Sequence, residues 1–281
     1  DHVYRMDYAA MLEFHADNNA AATVACMEVG LHEARGFGVM SVDRAGRILA
    51  FEEKPSEPGA LPENPDCALA SMGIYVFNRD LLLDELVRDS KDNDSSHDFG
   101  HDILPRLIDE QRVYAYPFGS LEGRVSQDRY WKDVGTLDAY YDANIAMLDP
   151  VPPLNLYQRD WPIRSYTAQS PPARTVPGEE GYDGVIYNAS LAGGVVINGG
   201  VVRHSILSAW VRLEHASVVE DSILFDNVTV GAGAKLKRCI VDKHVRIPEG
   251  ESIGYDLERD RQRFTVSENG VVVVGRRAIF D

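Results

Sequence analysis

Ser205-Ile206-Leu207, Ser222-Ile223-Leu224 and Cys239-Ile240-Val241 are three versions of one tripeptide, set 17 residues apart. The same offset relates Val211, Val228 and Val245, and then Leu213, Val230 and Ile247. A small residue also recurs at Ala216, Gly233 and Gly250, and a weaker copy surrounds Gly193 to Gly199. A period this short, rich in Val, Ile and Gly and with apolar steps of six (Val218, Leu224, Val230, Leu236), predicts a β-helix. Each coil has three short faces that send apolar residues inward, and small residues turn the corners. One coil cannot bury its own face, so neighbours must stack. Short sandwich strands would also give an apolar residue at every sixth place, but recurrence of whole positions across three copies favours coils. Downstream, Asn269-Gly270 reads as a hairpin turn and Val271 to Val274 as a final strand.

Upstream of the repeat, seven of the 14 prolines (Pro150, Pro152, Pro153, Pro162, Pro171, Pro172, Pro177) fall within 28 residues. Proline lacks an amide donor and restricts its predecessor, so this stretch is neither helix nor sheet interior. It carries Leu154, Tyr157, Trp161 and Ile163, which suit an ordered linker packed on a surface. The chain thus divides into an α/β part at 1–148, a linker at 149–184 and a β-helix at 185–281.

Before the linker, helical and extended patterns alternate. Helices are predicted at Tyr8–Asn19, Arg79–Val87, Asp102–Gln111 and Thr136–Leu148, with Thr136 as N-cap of the last. Strands are predicted at Ala21–Val29, Gly73–Phe77 and Val113–Phe118. Val39–Val42 and Ile48–Glu53, joined by Asp43-Arg44-Ala45-Gly46, read as a hairpin. Alternation of this kind predicts a layered α/β domain whose ligands sit at strand ends.

The 281 residues carry 28 Lys and Arg against 44 Asp and Glu, a net charge of -16. That balance argues against non-specific binding to nucleic acid or to an anionic membrane. The longest uncharged apolar stretch, Leu191 to Val202, has twelve residues and four glycines, too short to span a bilayer. Cys26, Cys67 and Cys239 are distant and lack metal-ligand spacing, which fits a reducing cytoplasm. The chain opens with Asp1-His2-Val3-Tyr4, with no initiator Met or signal-peptide pattern, and so reads as the later part of a longer polypeptide.

Several residues could do chemistry. Lys54 follows Phe51-Glu52-Glu53 at a strand end, where a fixed cation can meet a phosphate. Asp133, in Tyr130-Trp131-Lys132-Asp133-Val134-Gly135-Thr136, precedes a helix, and Asp1 is expected just before another. Two such carboxylates suit Mg²⁺. A Glu-Glu-Lys run is more often a solvated face, and an Asp at a helix start more often a cap. His97 and His101 have a zinc-compatible spacing, but Gly100 between them argues for a helix-start loop that leaves Asp98 available to ligand hydroxyls. His204, His215 and His244 do not recur as histidines within the repeat and read as surface residues.

Seven segments together resemble the bacterial glucose-1-phosphate adenylyltransferases, or ADP-glucose pyrophosphorylases. They are Asp1-His2-Val3-Tyr4-Arg5-Met6-Asp7-Tyr8, Gly36-Phe37-Gly38-Val39-Met40, Phe51-Glu52-Glu53-Lys54-Pro55, Ala70-Ser71-Met72-Gly73-Ile74-Tyr75-Val76-Phe77, Ser96-His97-Asp98-Phe99-Gly100, Tyr130 to Thr136 and Trp161-Pro162-Ile163-Arg164. They run in family order along the whole chain. The resemblance implies a Rossmann-like nucleotidyltransferase domain followed by a left-handed parallel β-helix. It implies transfer of an adenylyl group from ATP to glucose 1-phosphate, giving ADP-glucose and pyrophosphate, the committed step of glycogen biosynthesis. By resemblance, Asp1 and Asp133 hold Mg²⁺ and Lys54 grips the sugar phosphate. Glu53, Ser71, Tyr75 and Asp98 read the glucose hydroxyls beside Gly38, while Phe99 and Trp131 line the site. A cytoplasmic homotetramer is implied too, with small-molecule allosteric effectors for which Arg164, Arg203, Lys237 and Arg238 are possible contacts.

The family's Gly-rich loop for the ATP phosphates has no counterpart in these residues, so the 281 residues alone are expected to be inactive. Two other readings compete: a non-catalytic regulatory subunit of the same fold, and a hexapeptide acyltransferase. The first would be marked by replacement of Asp1, Asp133 or Lys54, all of which are present. The second needs more coils than the roughly four read here.

Overall fold

In chain order the first part reads β1 (His2–Tyr4), α1 (Tyr8–Asp17), β2 (Ala22–Gly30), α2 (Leu31–Ala34), β3 (Gly38–Val42), β4 (Ile48–Glu53), β5 (Cys67–Phe77), α3 (Arg79–Asp89), a π-turn (Phe99–Ile103), α4 (Leu104–Glu110), β6 (Val113–Pro117), β7 (Trp131–Asp133) and α5 (Leu137–Ile145). The computed structural model describes residues 1–119, 129–166, 169–178 and 184–280. Residues 167–168 and 179–183 of the expected linker lie outside that range, as do 120–128 and 281. Backbone contacts group the chain into two units, Arg5–Arg129, and Asp1–Tyr4 with Tyr130–Asp281.

The Arg5–Arg129 unit is built on a five-stranded sheet of order β4-β3-β5-β2-β6. β2 runs parallel to β6 and antiparallel to β5, and β3 pairs antiparallel with β4 and β5. From Ala22 to Cys26 every residue of β2 is buried, the mark of a strand covered on both faces. The π-turn and α4 bring Ile103, Leu104, Leu107 and Ile108 against Ala22, Val24, Cys26, Met40, Ile48 and Phe51. α1 is capped by Asp7, whose carboxylate accepts from the Ala9 and Ala10 amides. Its buried His15 meets Thr23 Oγ1 at 2.8 Å and Asn78 Oδ1 at 3.3 Å, tying the helix to β2 and to the end of β5.

Most of the predicted elements form, with three local differences. β5 starts six residues before the expected Gly73, because the Cys67–Met72 half pairs with both β2 and β3. The helix expected from Asp102 begins instead as a π-turn at Phe99. In α3 the buried side chains are Glu85 and Asp89, while Leu83, Leu86 and Val87 are exposed. That helix is held by ions: Arg106 reaches Glu85 at 2.6 Å.

In the other unit the 17-residue offset becomes a hydrogen-bonded register. Val201 pairs with Val218 and Val218 with Lys235; Ile206 with Ile223 and Ile223 with Ile240; Arg212 with Thr229 and Thr229 with Arg246, all parallel. Each face sends two residues inward, two apart: Ser217 and Val219, Ser222 and Leu224, Val228 and Val230. The inward residue of the first pair is therefore Val219; Val218, expected from the six-residue step, is only half-buried. That face is five residues from the next, which shortens the coil to 17. A residue in the left-handed region precedes each pair, at Ala216, Asp221 and Asn227, and again one coil on at Gly233, Arg238 and His244. The corner expected to need a small residue is thus one of three, and the other two accept polar side chains.

The last part of the expected linker already belongs to the coils, since Arg174–Val176 pairs with Val196–Asn198. Within the linker Leu154 is buried, whereas Tyr157, Ile163 and Tyr166 are exposed. Tyr141 of α5 packs on Ile223, Ile240 and Val271 and donates its hydroxyl to the Asp221 carbonyl. A helix that the sequence did not announce, α6 (Leu257–Arg263), precedes the closing strand Val272–Val274. No helix among the described residues is long and apolar enough to cross a membrane.

Ser205, Ser222 and Cys239 form a buried column. Ser222 N donates to Ser205 Oγ at 3.0 Å and Cys239 N to Ser222 Oγ at 3.1 Å, while the Ser222 hydroxyl donates to Glu220 O at 2.6 Å. Ser222→Ala orphans the buried Cys239 amide and leaves Glu220 O with the Arg238 amide alone, a loss of about 2 kcal/mol. The melting temperature should fall by roughly 4–8 °C, and Ser222→Cys should recover part of it. Calorimetry showing an unchanged midpoint for the alanine variant would mean that the column contributes nothing.

Candidate functional site

Glu53 ends β4 with its carboxylate lodged against two glycines. A β-carbon built at Gly38 would strike Phe51 and come within 2.8 Å of Glu53 Oε2, and one built at Gly100 would strike the same oxygen. Both positions therefore admit only glycine while Glu53 keeps its place. The two come from different elements, β3 and the π-turn, so the carboxylate marks where they converge.

Around Glu53 stand Ser71 and Tyr75 of β5 and Asp98 and Phe99 of the π-turn. Gly73 N donates to Ser71 Oγ at 3.2 Å. Phe99 stacks on Tyr75, ring centroids 5.7 Å apart and 27° between planes. Burial pushes the Tyr75 phenol up from its ordinary value; the nearby Ser71 hydroxyl opposes this, and the Glu53 and Asp98 carboxylates add to it. Tyr75 is therefore a neutral donor and acceptor throughout the physiological range.

Asp98 is less free than the sequence suggested. It is the N-cap of the π-turn, where Oδ1 accepts from Gly100 N at 2.7 Å and His101 N at 2.9 Å. Its Oδ2 has no hydrogen bond among the described residues, so one oxygen shapes the loop and the other remains for a ligand. The two histidines flanking it are bound to carboxylates, His97 to Asp89 at 2.7 Å and His101 to Asp102 at 2.9 Å. No group of three metal-ligating side chains occurs among the described residues.

Lys54 sits at φ 48°, and its amide donates to Phe37 O at 3.0 Å. A left-handed residue other than glycine costs about 1–2 kcal/mol, and the following Pro55 restricts Lys54 further. The turn sends the side chain outward, 66% exposed, with Nζ 3.5 Å from Glu53 Oε1.

Asp1, Trp131 and Asp133 belong to the other unit. Asp1 does not precede a helix directly, as expected; it precedes β1, which pairs antiparallel with β7. The register sets His2 opposite Asp133, with Val134 N bonded to Asp1 O at 2.8 Å, so the two aspartates come from neighbouring strand ends. The Asp1 backbone nitrogen lies 3.9 Å from Asp133 Oδ1, which also accepts from Gly135 N at 3.0 Å. Trp131 is buried, with the His2 ring 5.0 Å away. Thr136 caps α5 as expected, accepting from Ala139 N. The ten candidates thus form two groups, Gly38, Glu53, Lys54, Ser71, Tyr75, Asp98 and Phe99 in one unit, and Asp1, Trp131 and Asp133 in the other.

Gly100 was overlooked as the neighbour that leaves room for Glu53; its signal was a glycine within the polar helix start His97-Asp98-Phe99-Gly100-His101-Asp102. Of the possible effector contacts, Arg203 is paired with Glu220 at 2.8 Å and Arg238 lies over the Tyr141 ring. His204 is not a loose surface group either, since Nδ1 lies 2.7 Å from Asp221.

The model of nucleotidyl transferases matches residues 1–149, and that of GlmU-like C-terminal hexapeptides matches residues 171–274. Glucose-1-phosphate adenylyltransferase 2 of Vibrio cholerae is 54% identical over 98% of this chain and 67% of its own length. Glucose-1-phosphate adenylyltransferases of Methylobacillus flagellatus and Pectobacterium carotovorum are 49% and 44% identical over the same share of the chain, covering 64% and 65% of theirs. The chain spans about two thirds of the length of these relatives. With a matching domain on either side of the proline-rich segment and this identity along nearly every residue, the chain belongs to the glucose-1-phosphate adenylyltransferase family.

Proposed function

We propose that these residues serve the synthesis of ADP-glucose and pyrophosphate from ATP and glucose 1-phosphate. The observation that carries this reading is the Glu53 cluster: two carboxylates, a serine and a neutral tyrosine grouped as hydroxyl partners, with one exposed cation at their edge. Such a set suits a polyhydroxylated sugar with a single phosphate. Glu53, Asp98 Oδ2, Ser71 and Tyr75 take the glucose hydroxyls, Phe99 stacked on Tyr75 gives a flat wall, and Lys54 takes the phosphate.

In this reaction a phosphate oxygen of glucose 1-phosphate attacks the α-phosphorus of ATP and pyrophosphate leaves, without a covalent enzyme intermediate. The protein's part is positioning and charge neutralisation. Asp1 and Asp133 would hold Mg²⁺, and their oxygen donors fit a hard cation that keeps most of its coordination for water and phosphate. When bound, the ion neutralises phosphate charge. The same reading expects a cytoplasmic homotetramer that responds to small-molecule effectors. The exposed Val185, Ile186 and Tyr187 on the first coil are suited to a subunit contact.

The reading is tested in the polypeptide that carries these residues at the full length of its relatives. Formation of ADP-glucose from ATP, glucose 1-phosphate and Mg²⁺ supports it; a protein that binds neither substrate overturns it. Lys54→Ala should raise the KM for glucose 1-phosphate roughly ten- to a hundred-fold, because a charge-assisted contact contributes about 1.5–3 kcal/mol. The KM for ATP should stay nearly constant, and a shift in the ATP constant instead would remove Lys54 from the sugar phosphate.

Asp133→Asn keeps an oxygen and removes the charge. Acting on the metal, it should lower kcat at least about 100-fold, equivalent to one strong transition-state contact of about 2.7 kcal/mol. Excess Mg²⁺ should restore only part of the rate, and the melting temperature should hold. A variant that melts much lower, or works at the normal rate, would make Asp133 a structural residue that bonds Gly135 and nothing more.

A further inference from the structure

The loop from Ser95 to His101 presents Asp98, Phe99 and Gly100 to Glu53 and Tyr75, and Phe99 is its one large apolar anchor. Ser96, His97, Asp98 and His101 are all exposed, and His97 is in the left-handed region at φ 60°. Two acidic side chains outside the cluster also hold it.

Asp102 binds three points along the loop. Its Oδ2 accepts from Ser96 Oγ at 2.6 Å and from Asp98 N at 3.0 Å, and its Oδ1 meets His101 Nδ1 at 2.9 Å. Asp98 answers with the Gly100 and His101 amides, so the two aspartates cap the π-turn reciprocally. In an ordinary capping box the second carboxyl lies three residues along; here it lies four along, matching the wider turn in which Ile103 N bonds Asp98 O. A π-turn is rare and recurs at functional sites. Its effect here is to set Gly100 against the Glu53 carboxylate and Phe99 on Tyr75. At the other end of the loop Asp89, almost fully buried at the close of α3, accepts from Ser95 Oγ at 2.7 Å and meets His97 Nδ1 at 2.7 Å. Bonds from Ser96, His101 and the Asp98 amide hold the Asp102 carboxyl well below the usual carboxylate range, and Ser95 and His97 lower Asp89 likewise, so both stay ionised.

We propose that Asp102, with Asp89 as its counterpart, is a positioning residue for the sugar end of the site, fixing the loop so that Asp98, Phe99 and Gly100 stand against Glu53 and Tyr75. Neither carboxylate touches the sugar; each acts through the backbone it holds. The inference rests on the reading of this cluster as the glucose 1-phosphate site, but its structural half is independent of the ligand.

The test pairs amide hydrogen exchange with glucose 1-phosphate titration on the full chain, using Asp102→Ala, Asp102→Asn and the exposed control Asp80→Ala. In Asp102→Ala the Asp98, Gly100 and His101 amides should exchange at least tenfold faster while β2 keeps its protection. Affinity for glucose 1-phosphate should fall about tenfold. Asp102→Asn, which can still accept from Asp98 N, should recover part of both, and Asp80→Ala should change neither. If Asp102→Ala does not fold, Asp89→Asn takes its place, with the Ser95 and His97 amides as reporters. Loop protection and affinity that both match wild type would overturn the proposal. If wild type itself ignores glucose 1-phosphate, the substrate reading falls, and exchange alone then decides: faster loop exchange sustains the positioning role and unchanged exchange ends it.

Discussion

An amide in the β-helix must find its carbonyl one coil away, and that requirement fixes everything else in the larger unit. Parallel strands of two or three residues bond only if each coil returns after a constant number of residues. Inward pairs such as Ser222 and Leu224 then land on Cys239 and Val241 of the next coil. The corners are the price of that constancy. Asp221 and Asn227 take left-handed conformations that aspartate and asparagine tolerate better than most residues, and Gly233 and Gly250 do so without cost. His204 and Arg238 occupy the same corner and offset its strain with outward contacts, one to Asp221 and the other to the Tyr141 ring.

In the smaller unit acidic side chains do a comparable job. The net charge of -16 suggests a surface of solvated carboxylates, yet many of the informative acids serve the backbone or a buried ion pair. Asp98 holds Gly100 and His101, Asp102 holds Asp98, and Glu85 joins α3 to α4 through Arg106. Glu53 belongs with them, its carboxylate kept in place by the space that two glycines leave. Residues offered as ligand contacts are thus also parts of the frame that aims them.

Much of this was legible beforehand, for identifiable reasons. The coils were visible because stacking repeats the same demand every 17 residues, and the β3–β4 hairpin because Asp43-Arg44-Ala45-Gly46 is turn chemistry between apolar runs. Thr136 could be named as a cap because its hydroxyl can serve a free helix amide. What escaped was non-local. β1 and β7 are three residues each and exist only because they pair across more than a hundred residues, so Asp1 was assigned to a helix start. The inward position fell on Val219 in place of Val218 because the short face shifts the six-residue step. The π-turn was hidden because Asp98 and Asp102 stabilise it through side chains, which apolar periodicity does not record. Nor does the sequence of α3 show that Glu85 and Asp89 are its buried side chains, because their partners Arg106 and His97 lie outside the helix.

The stacked corners also give the β-helix a vernier. Between the interior coils the step is 17 residues, but toward the start it departs from this: Val185 lies opposite Val201 and Val196 opposite Arg212 at a step of 16, and Arg174 lies opposite Val196 at a step of 22. An end coil has one neighbour to satisfy and can lose or gain residues at a corner, whereas an interior coil answers to two and cannot. Length variation in such a domain is therefore quantised: whole coils can enter or leave the interior, and steps of other lengths, from 16 to the 33 between Cys239 and Val272, occur only toward the ends.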